Sequence, residues 1–506
     1  MSIRRHALTM TLGVIAALSL AAGSAPGATT GEAADGGITV VLSSDITSLD
    51  QARDETLITR NIDGNIYDRL IGYSPRLTLT PMLATSWKQV NPTTWRFNLR
   101  KNVKFHDGEP FDANAVKFSL LRTQAPKSVV GYATSNVARV NVRDRYTVDI
   151  VTKRPDPMLL KNVAAYLDIV PPKAGAKADF GSHPVGTGPY VFDRWVKGQE
   201  VALHANPSYW GQKVGIPSVT YKFIPAPATR LSALISGQAD LVMNLSPEDI
   251  SVINGRDNVR TEVVPSVNKM LVILDSSVKQ LSDPRVRQAL NYAVDKNALV
   301  KNVLGGDATK STSTMVTVVP GYSGKLANYY DQNIAKAKQL LSQAGYPNGF
   351  SITLSHTDGV FPKDSEVAQT LQANLGAIGV RVKLQAVTYP NMASMLDKKS
   401  FGGMALMRYG DVWVDPSSLL TYAIWSKGTA VFTHDPSVDA MINKAVTVFN
   451  PQQRTKLYQQ IDATVAKKMV PWVYLFDFKN IYGVSDRLAW KATPYVFMDL
   501  RGARLS

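Results

Sequence analysis

One constellation stands out in this 506-residue chain: Arg408-Tyr409-Gly410-Asp411-Val412-Trp413-Val414-Asp415-Pro416, directly after an apolar strand candidate from Met404 to Met407. A strand end feeding a loop is where α/β lobes place ligand groups. Asp411, flanked by Tyr409 and Trp413, offers an acceptor for a ligand ammonium while the rings cover the apolar part of the ligand. Its plainer reading is a turn carboxylate in water. Arg408 can meet a ligand carboxylate bidentately, or it can pair with Asp411 and neutralise it. Asp415 stands before Pro416, the arrangement of a helix cap followed by proline in the first turn.

Signatures of catalysis are largely missing. The only Gly-Lys pair is Gly324-Lys325, and the residue five before Gly324 is Val319, so there is no phosphate-cradling loop. Gly186 and Gly188 begin a dinucleotide-like fingerprint, but Pro189 interrupts it and no third glycine follows, which favours a turn. The hydrolase elbow is absent, because Gly321-Tyr322-Ser323-Gly324 has the wrong spacing. His106, His183, His204, His356 and His434 lie far apart without metal-ligand spacing. Cysteine is absent, which removes disulfides, thiolate metal sites, thiol nucleophiles and a lipid-anchoring thiol together. We expect no catalytic residue, no metal site and no cofactor.

The elements that must position the 408–416 stretch are those of an α/β lobe. Asp283-Pro284, Asp435-Pro436 and Asn450-Pro451 each announce a helix. After Pro284, Val286, Leu290, Ala293, Val294 and Val303 recur at helical spacing, and after Pro451 so do Leu457, Ile461 and Val465. Asp331 to Ala344 reads as a helix stopped by Gly345. Val367, Leu371, Leu375 and Ile378 form another, ending at Gly379, with Val380, Val382 and Leu384 continuing as a strand. Earlier, Ile38 to Leu42 is an apolar strand candidate. Trp95, Phe97, Leu99, Val103 and Phe105 alternate with polar residues, as in a half-buried strand pair with a turn from Asn102 to Gly108. Asp112 then caps a short helix to Leu121.

The length exceeds one core, and 45% apolar residues exclude a disordered chain, so two or three packed units of mixed α and β are expected. The net charge of +16 is spread rather than clustered. Its densest stretch, Arg96 to Lys104, alternates as a solvated strand face does, which speaks for solubility and against a nucleic-acid groove. At the N-terminus, Arg4 and Arg5 precede an apolar run from Ala7 to Ala22 and then Gly23, Ser24 and Ala25. The run is shorter than the roughly 20 residues of a spanning helix, so residues 1–34 read as a cleaved export signal and the mature chain as periplasmic.

Five ordered blocks carry a family resemblance: Pro81 to Trp87, Trp95 to Gly108, Pro184 to Tyr190, Asn206 to Trp210 and Asp283 to Leu290. The chain resembles the extracytoplasmic solute-binding proteins of peptide and nickel importers, along nearly all of its mature length. The resemblance implies an α/β, two-lobed periplasmic binding protein fold with an extra subdomain in the first lobe. Lobe one is expected at 36–268 plus 479–506, with 66–183 as the extra subdomain, and lobe two at 269–478. The crossings are expected from Pro265 to Leu274 and from Trp472 to Phe478.

The same resemblance implies a monomeric, non-enzymatic receptor that delivers a short peptide to the permease subunits of an ATP-driven ABC importer. A receptor for chelated nickel or an opine-like solute is the alternative within the class, and an exported hydrolase the alternative from another. Peptide-binding relatives hold the α-ammonium with the aspartate of a Trp-x-x-Asp loop, whereas here Trp413 follows Asp411. The expected ligand residues are Asp411, Trp413, Arg408, Tyr409 and, at the lobe boundary, Asn268.

Overall fold

The computed structural model describes residues 36–410, 414–495 and 497–506. The expected export signal at 1–34 lies outside these residues, as do Asp411 and Trp413. Two long antiparallel strands, Val259–Leu274 and Trp472–Ser485, run through the middle of an eleven-stranded sheet. The segments expected as lobe crossings, 265–274 and 472–478, fall within them. Outward from Val259–Leu274 come Met404–Gly410, Ser351–His356 and Arg381–Ala386. Outward from Trp472–Ser485 come Leu241–Val242, Ile38–Leu42, Ser218–Phe223, Glu200–Ala205 and Tyr190–Val196.

Two lobes form because the sheet is covered in two places. One core gathers Met270, Leu290, Leu371, Met404 and Trp472 under the helices of the second half. Another gathers Val40, Tyr190, Tyr221 and Val484, with Val41, Leu234 and Ile253 packed separately. Strands covered on both faces read as continuous apolar runs, and Trp472 to Phe476 are buried without a break. A four-stranded antiparallel sheet, in the order Ala84–Asn91, Thr94–Leu99, Thr147–Thr152, Val137–Asp144, carries its own core around Phe97, Leu120 and Val148.

Local chemistry sets most boundaries. Asp112, Asp283, Asp435 and Asn450 accept the amides of Asn114, Arg285, Ser437 and Gln453, starting the helices Ala113–Thr123, Pro284–Ala293, Pro436–Ala445 and Pro451–Thr464. The helix expected to run on from Pro284 to Val303 instead breaks at Val294, because the Asp295 carboxylate takes the amide of Ala298 and begins a new turn. The helix expected from Asp331 starts at Ile334, where the Asn333 side chain captures the amide of Lys336. The strand expected to reach Phe105 ends at Leu99, since Asn102 (φ 61°) and Gly108 (φ 87°) turn the chain. Arg96 is half-buried and bidentate to Asp149 across the strands at 2.7 and 2.9 Å, so it is not simply solvated. Gly188 marks a close approach: a Cβ there would lie 2.5 Å from the Ile66 carbonyl oxygen.

The long strands lose register between the lobes. Pro265 pairs with Lys479 and Lys269 with Asp477, so Ser266, Val267 and Asn268 stand opposite Phe478 alone. Proline has no amide to donate, which suits it to the edge of such a bulge. Immediately beyond, Lys269 is buried. Its Nζ donates to the Ser313 carbonyl, to Ser311 Oγ (3.3 Å) and to the Met315 carbonyl (3.3 Å), and forms an ion pair with Asp477 Oδ1 at 3.4 Å.

Burial pushes the Asp477 carboxyl up from 3.8, opposed by the Lys269 charge. Removing that charge in Lys269→Met raises it further. A group whose folded-state pKa lies above its unfolded value stabilises fully only below the unfolded value and loses that contribution as pH rises through the folded one. The deficit of Lys269→Met against the unsubstituted chain is therefore small near about pH 4 and grows to about 3–5 kcal/mol at neutral pH. Urea unfolding at a series of pH values measures it, and a deficit independent of pH refutes the assignment.

Candidate functional site

The strand expected from Met404 to Met407 extends to Gly410, so Arg408 and Tyr409 belong to the sheet and not to the loop after it. It pairs antiparallel with the first long strand: Met270 faces Arg408, Lys269 faces Tyr409 and Asn268 faces Gly410. Successive side chains point to opposite faces. Arg408 is accordingly exposed and Tyr409 is 6% exposed. The Tyr409 ring packs edge-on against Tyr422 (5.9 Å) and Trp472 (5.8 Å), so most of it is held in the core while it also lines the first cavity. Its hydroxyl is buried and has no hydrogen-bond partner among the described residues.

Two cavities open between the lobes, of about 920 and 870 Å³. Both volumes lie in the range of small-molecule sites. The first lies between Tyr132, Arg154 and Met158 on one side and Tyr422, Trp425 and Ile442 on the other. The second lies between Ser43, Arg230 and Asn244 on one side and Phe361, Lys363 and Tyr389 on the other. Arg408 lines both. Its guanidinium carbon sits 5.2 Å from the centre of the Phe361 ring, and among the described residues no carboxylate lies within ion-pair distance of it. An exposed arginine held over a ring and left without an anion is a ready receptor for a ligand carboxylate.

Neighbouring groups hold Arg408 in place. Phe361 sits in a turn organised by the buried Asp364, whose carboxylate accepts Thr357 Oγ1 (2.6 Å) and the amides of Gly359, Val360 and Phe361. Asn268, in the bulge, donates to Ser266 Oγ at 2.9 Å and lines the second cavity. Its Oδ1 lies 2.4 Å from where a Cβ of residue 410 would sit, so a side chain there would have to displace the Asn268 amide.

Asp415 does more than the expected cap. Its Oδ1 accepts the Ser417 amide at 3.0 Å, ahead of the helix Ser417–Ala423, as a cap would. The same oxygen also accepts Tyr458 Oη (2.7 Å) and Arg454 Nη2 (3.0 Å), while Oδ2 meets Lys161 Nζ at 3.0 Å. Burial works to raise this carboxyl, but the Lys161 and Arg454 charges outweigh it and hold the group below the usual carboxylate range. Lys161 belongs to the helix Leu159–Tyr166, beside the four-stranded sheet, so the pair spans the cleft. A second cross-cleft pair, Lys363 to Glu248 at 3.2 Å, is far more exposed.

Sequence reasoning missed Lys161, Arg454, Tyr458 and Phe361 as parts of this site. Each sits in an ordinary helix or turn, and no spacing rule links positions nearly 300 residues apart. Among the described residues no three His, Asp or Glu side chains converge as metal ligands, and no helix is long and apolar enough to cross a membrane.

Two lobes joined by a pair of crossing strands, with cavities where they face each other, define a receptor that closes on a solute rather than an enzyme with a fixed catalytic centre. The chain belongs to the bacterial extracellular solute-binding proteins, family 5, whose model matches residues 78–430. It is 29% identical to the glutathione-binding protein GsiB of Salmonella paratyphi A over 476 residues, 89% of this chain and 91% of that one. Among solved structures it resembles HbpA2 from Haemophilus parasuis, with a TM-score of 0.84, 25% identity and coverage of 93% and 99% of the two chains. It also shares its fold with the periplasmic binding protein DppA from Helicobacter pylori in complex with the peptide STSA, at a TM-score of 0.76, 24% identity and coverage of 93% and 98%.

Replacing Asp415 by Ala leaves Arg454 buried without its carboxylate, an effect of about 3–5 kcal/mol rather than the roughly 1 kcal/mol of a lost cap. A depressed folded-state pKa contributes stability that is present above the unfolded value and lost as pH falls through the folded one. The difference between Asp415→Ala and the unsubstituted chain should therefore shrink in acid. Denaturant midpoints across pH test both magnitude and sign, and a loss of only about 1 kcal/mol would restore the plain cap.

Proposed function

We propose that this chain is the periplasmic receptor of an ABC importer for short peptides, exported by the leader at 1–34 and handing its ligand to membrane permease subunits. Arg408, at the junction of the two cavities and without a carboxylate partner among the described residues, carries the reading. A short peptide offers one carboxylate end for Arg408 and one ammonium end for Asp411, with main-chain groups between them that the cleft's polar walls can meet. The similarity to the glutathione-binding protein GsiB supports a ligand of tripeptide size. We propose the lobes at 36–268 with 479–506 and at 269–478, with 66–183 as the extra subdomain. The separate core from Leu70 to Ile169 and the core from Met270 to Phe478 support that division.

Titration calorimetry with glutathione, a dipeptide series and their amine-blocked and carboxyl-blocked forms tests the proposal. Binding of the free peptides is expected, and saturating ligand raises the melting temperature with concentration. Arg408→Ala should weaken binding about 10- to 100-fold, the weight of one charged hydrogen-bonded contact, while leaving stability unchanged because the side chain is exposed. Asp411→Ala should cost about 2–5 kcal/mol of binding if that residue receives the ammonium. Loss of binding on carboxyl blocking alone, with amine blocking silent, leaves Arg408 as the anchor and removes Asp411 from the site. Binding of nickel chelates or opines in place of peptides would move the receptor to the alternative within its class, and turnover of any ligand would refute the receptor reading.

A further inference from the structure

In the second cavity most charged groups are already matched within the protein. Lys363 meets Glu248 at 3.2 Å and Glu366 at 3.3 Å, and Lys479 meets Asp307 at 3.6 Å. Asp358 accepts Ser365 Oγ at 2.6 Å, and Asp364 is filled by its own turn. Arg230 donates to the carbonyls of Ile224, Pro225 and Asn244. Among the described residues that line this cavity, Arg408 is the charged side chain left without an acceptor.

The surface beside Arg408 is apolar and open. Phe361 is buried under the Arg408 guanidinium, and the Tyr389 ring meets Phe361 edge-on at 6.0 Å, so the guanidinium and the two rings form one continuous patch. Tyr389 nevertheless keeps 50% exposure, and its neighbour in the cavity wall, Val360, keeps 45%. Large apolar residues exposed singly are ordinary, but two of them lining one interlobe cavity next to an unmatched arginine mark a contact surface. Local chemistry holds both in place. The Val360 amide donates to Asp364 Oδ2 at 3.2 Å, and Tyr389 opens the helix Tyr389–Asp397, whose Thr388 cap accepts the Asn391 amide. The facing wall carries Pro225, Pro227 and Pro247, rigid rings with no amide hydrogen to satisfy.

We propose that this patch reads the side chain next to the ligand carboxylate: the receptor prefers short peptides whose carboxyl-terminal residue is large and apolar, aromatic above all. The inference rests on the receptor reading above and names the side-chain class which that reading leaves open. With the carboxylate on Arg408, the terminal side chain branches one carbon away and lies over Tyr389 and Val360, with the prolines on its other side. Removing that side chain and the exposed Tyr389 and Val360 from water supplies the preference, and ring-to-ring contact with Tyr389 adds to it for an aromatic residue. A terminal glycine leaves both in water.

Titration calorimetry with alanyl-glycine, alanyl-leucine and alanyl-phenylalanine tests the patch. Alanyl-phenylalanine should bind roughly 10- to 100-fold more tightly than alanyl-glycine, the weight of burying one large apolar side chain, with alanyl-leucine between them. Tyr389→Ala removes an exposed ring at the start of a helix, and circular dichroism checks that the fold is kept. It should bring the phenylalanine-to-glycine ratio towards unity, and Tyr389→Phe should restore the ratio, because the ring and not the hydroxyl makes the contact. Equal affinity for the three dipeptides in the unsubstituted chain overturns the patch and leaves the peptide reading standing. A preference that survives Tyr389→Ala unchanged places the side chain elsewhere and overturns it as well. If no dipeptide binds, the peptide reading fails, and hydrocinnamate against acetate, a carboxylate with and without a ring, still decides the patch by melting temperature. A larger rise with hydrocinnamate that disappears in Tyr389→Ala supports it, and an equal response, or none with either, overturns it.

Discussion

The buried Lys269 ammonium sits at the point where the two long strands lose register, and the geometry of the cleft depends on its being there. Side chains along a strand alternate between faces, so a one-residue slip of Met404–Gly410 against Val259–Leu274 would exchange the faces of Arg408 and Tyr409. It would put a charge into the core and a core ring into the cleft. The same slip on the other side of the strand would carry Lys269 away from Asp477, Ser311, Ser313 and Met315. An ion pair in apolar surroundings adds little net stability when made well, but is strongly unfavourable when half-made. The pair therefore penalises wrong registers more than it rewards the right one.

The bulge beside it gives the two lobes their relation. Three residues opposite one add local twist and leave backbone groups outside the ladder, and they deliver Asn268 to the second cavity, opposite Gly410. Two ion pairs then cross the cleft with different weight. Lys363 and Glu248, at 30% and 56% side-chain exposure, form a pair of the kind that contributes about 0–1 kcal/mol and fades with salt. Lys161 and Asp415, at 18% and 4%, are shielded from that screening. The contact across the cleft is thus firmer at the Lys161–Asp415 pair than at the Lys363–Glu248 pair.

Much of the architecture was legible in the sequence because it is written in local chemistry. Side-chain caps before proline, a glycine after the helix Asp364–Gly376 and alternating apolar residues in Thr94–Leu99 each act within a few residues. The misread boundaries have the same origin: at Asp295 and Asn333 a closer cap took the amide that a longer helix would have used. Arg408 was recognisable by type and place as a residue for the cleft, and it lines both cavities. The packing of Tyr409 on Tyr422 and Trp472 was not, since it turns on strand pairing, and nothing in residues 404–416 reports that the strand continues to Gly410. Asp415 read as a cap because its nearest partner is Ser417, while the three side chains that determine its energetics, Lys161, Arg454 and Tyr458, come from distant segments.

That arrangement of Asp415 bears on how such a receptor can close and reopen. A buried carboxylate whose only cation came from the facing lobe would be orphaned at each opening, at a penalty of several kcal/mol, and the protein would be locked shut or unstable when open. Here the carboxylate has partners in its own lobe as well, Arg454, Tyr458 and the Ser417 amide. The charge that crosses the cleft is the lysine, the more exposed partner and the one on a flexible stem that regains hydration easily. Opening then exchanges one charge-assisted contact for water instead of stranding a charge in apolar surroundings. A few kcal/mol between open and closed forms is the range in which a small ligand can shift the population, and this division of partners keeps the difference within it.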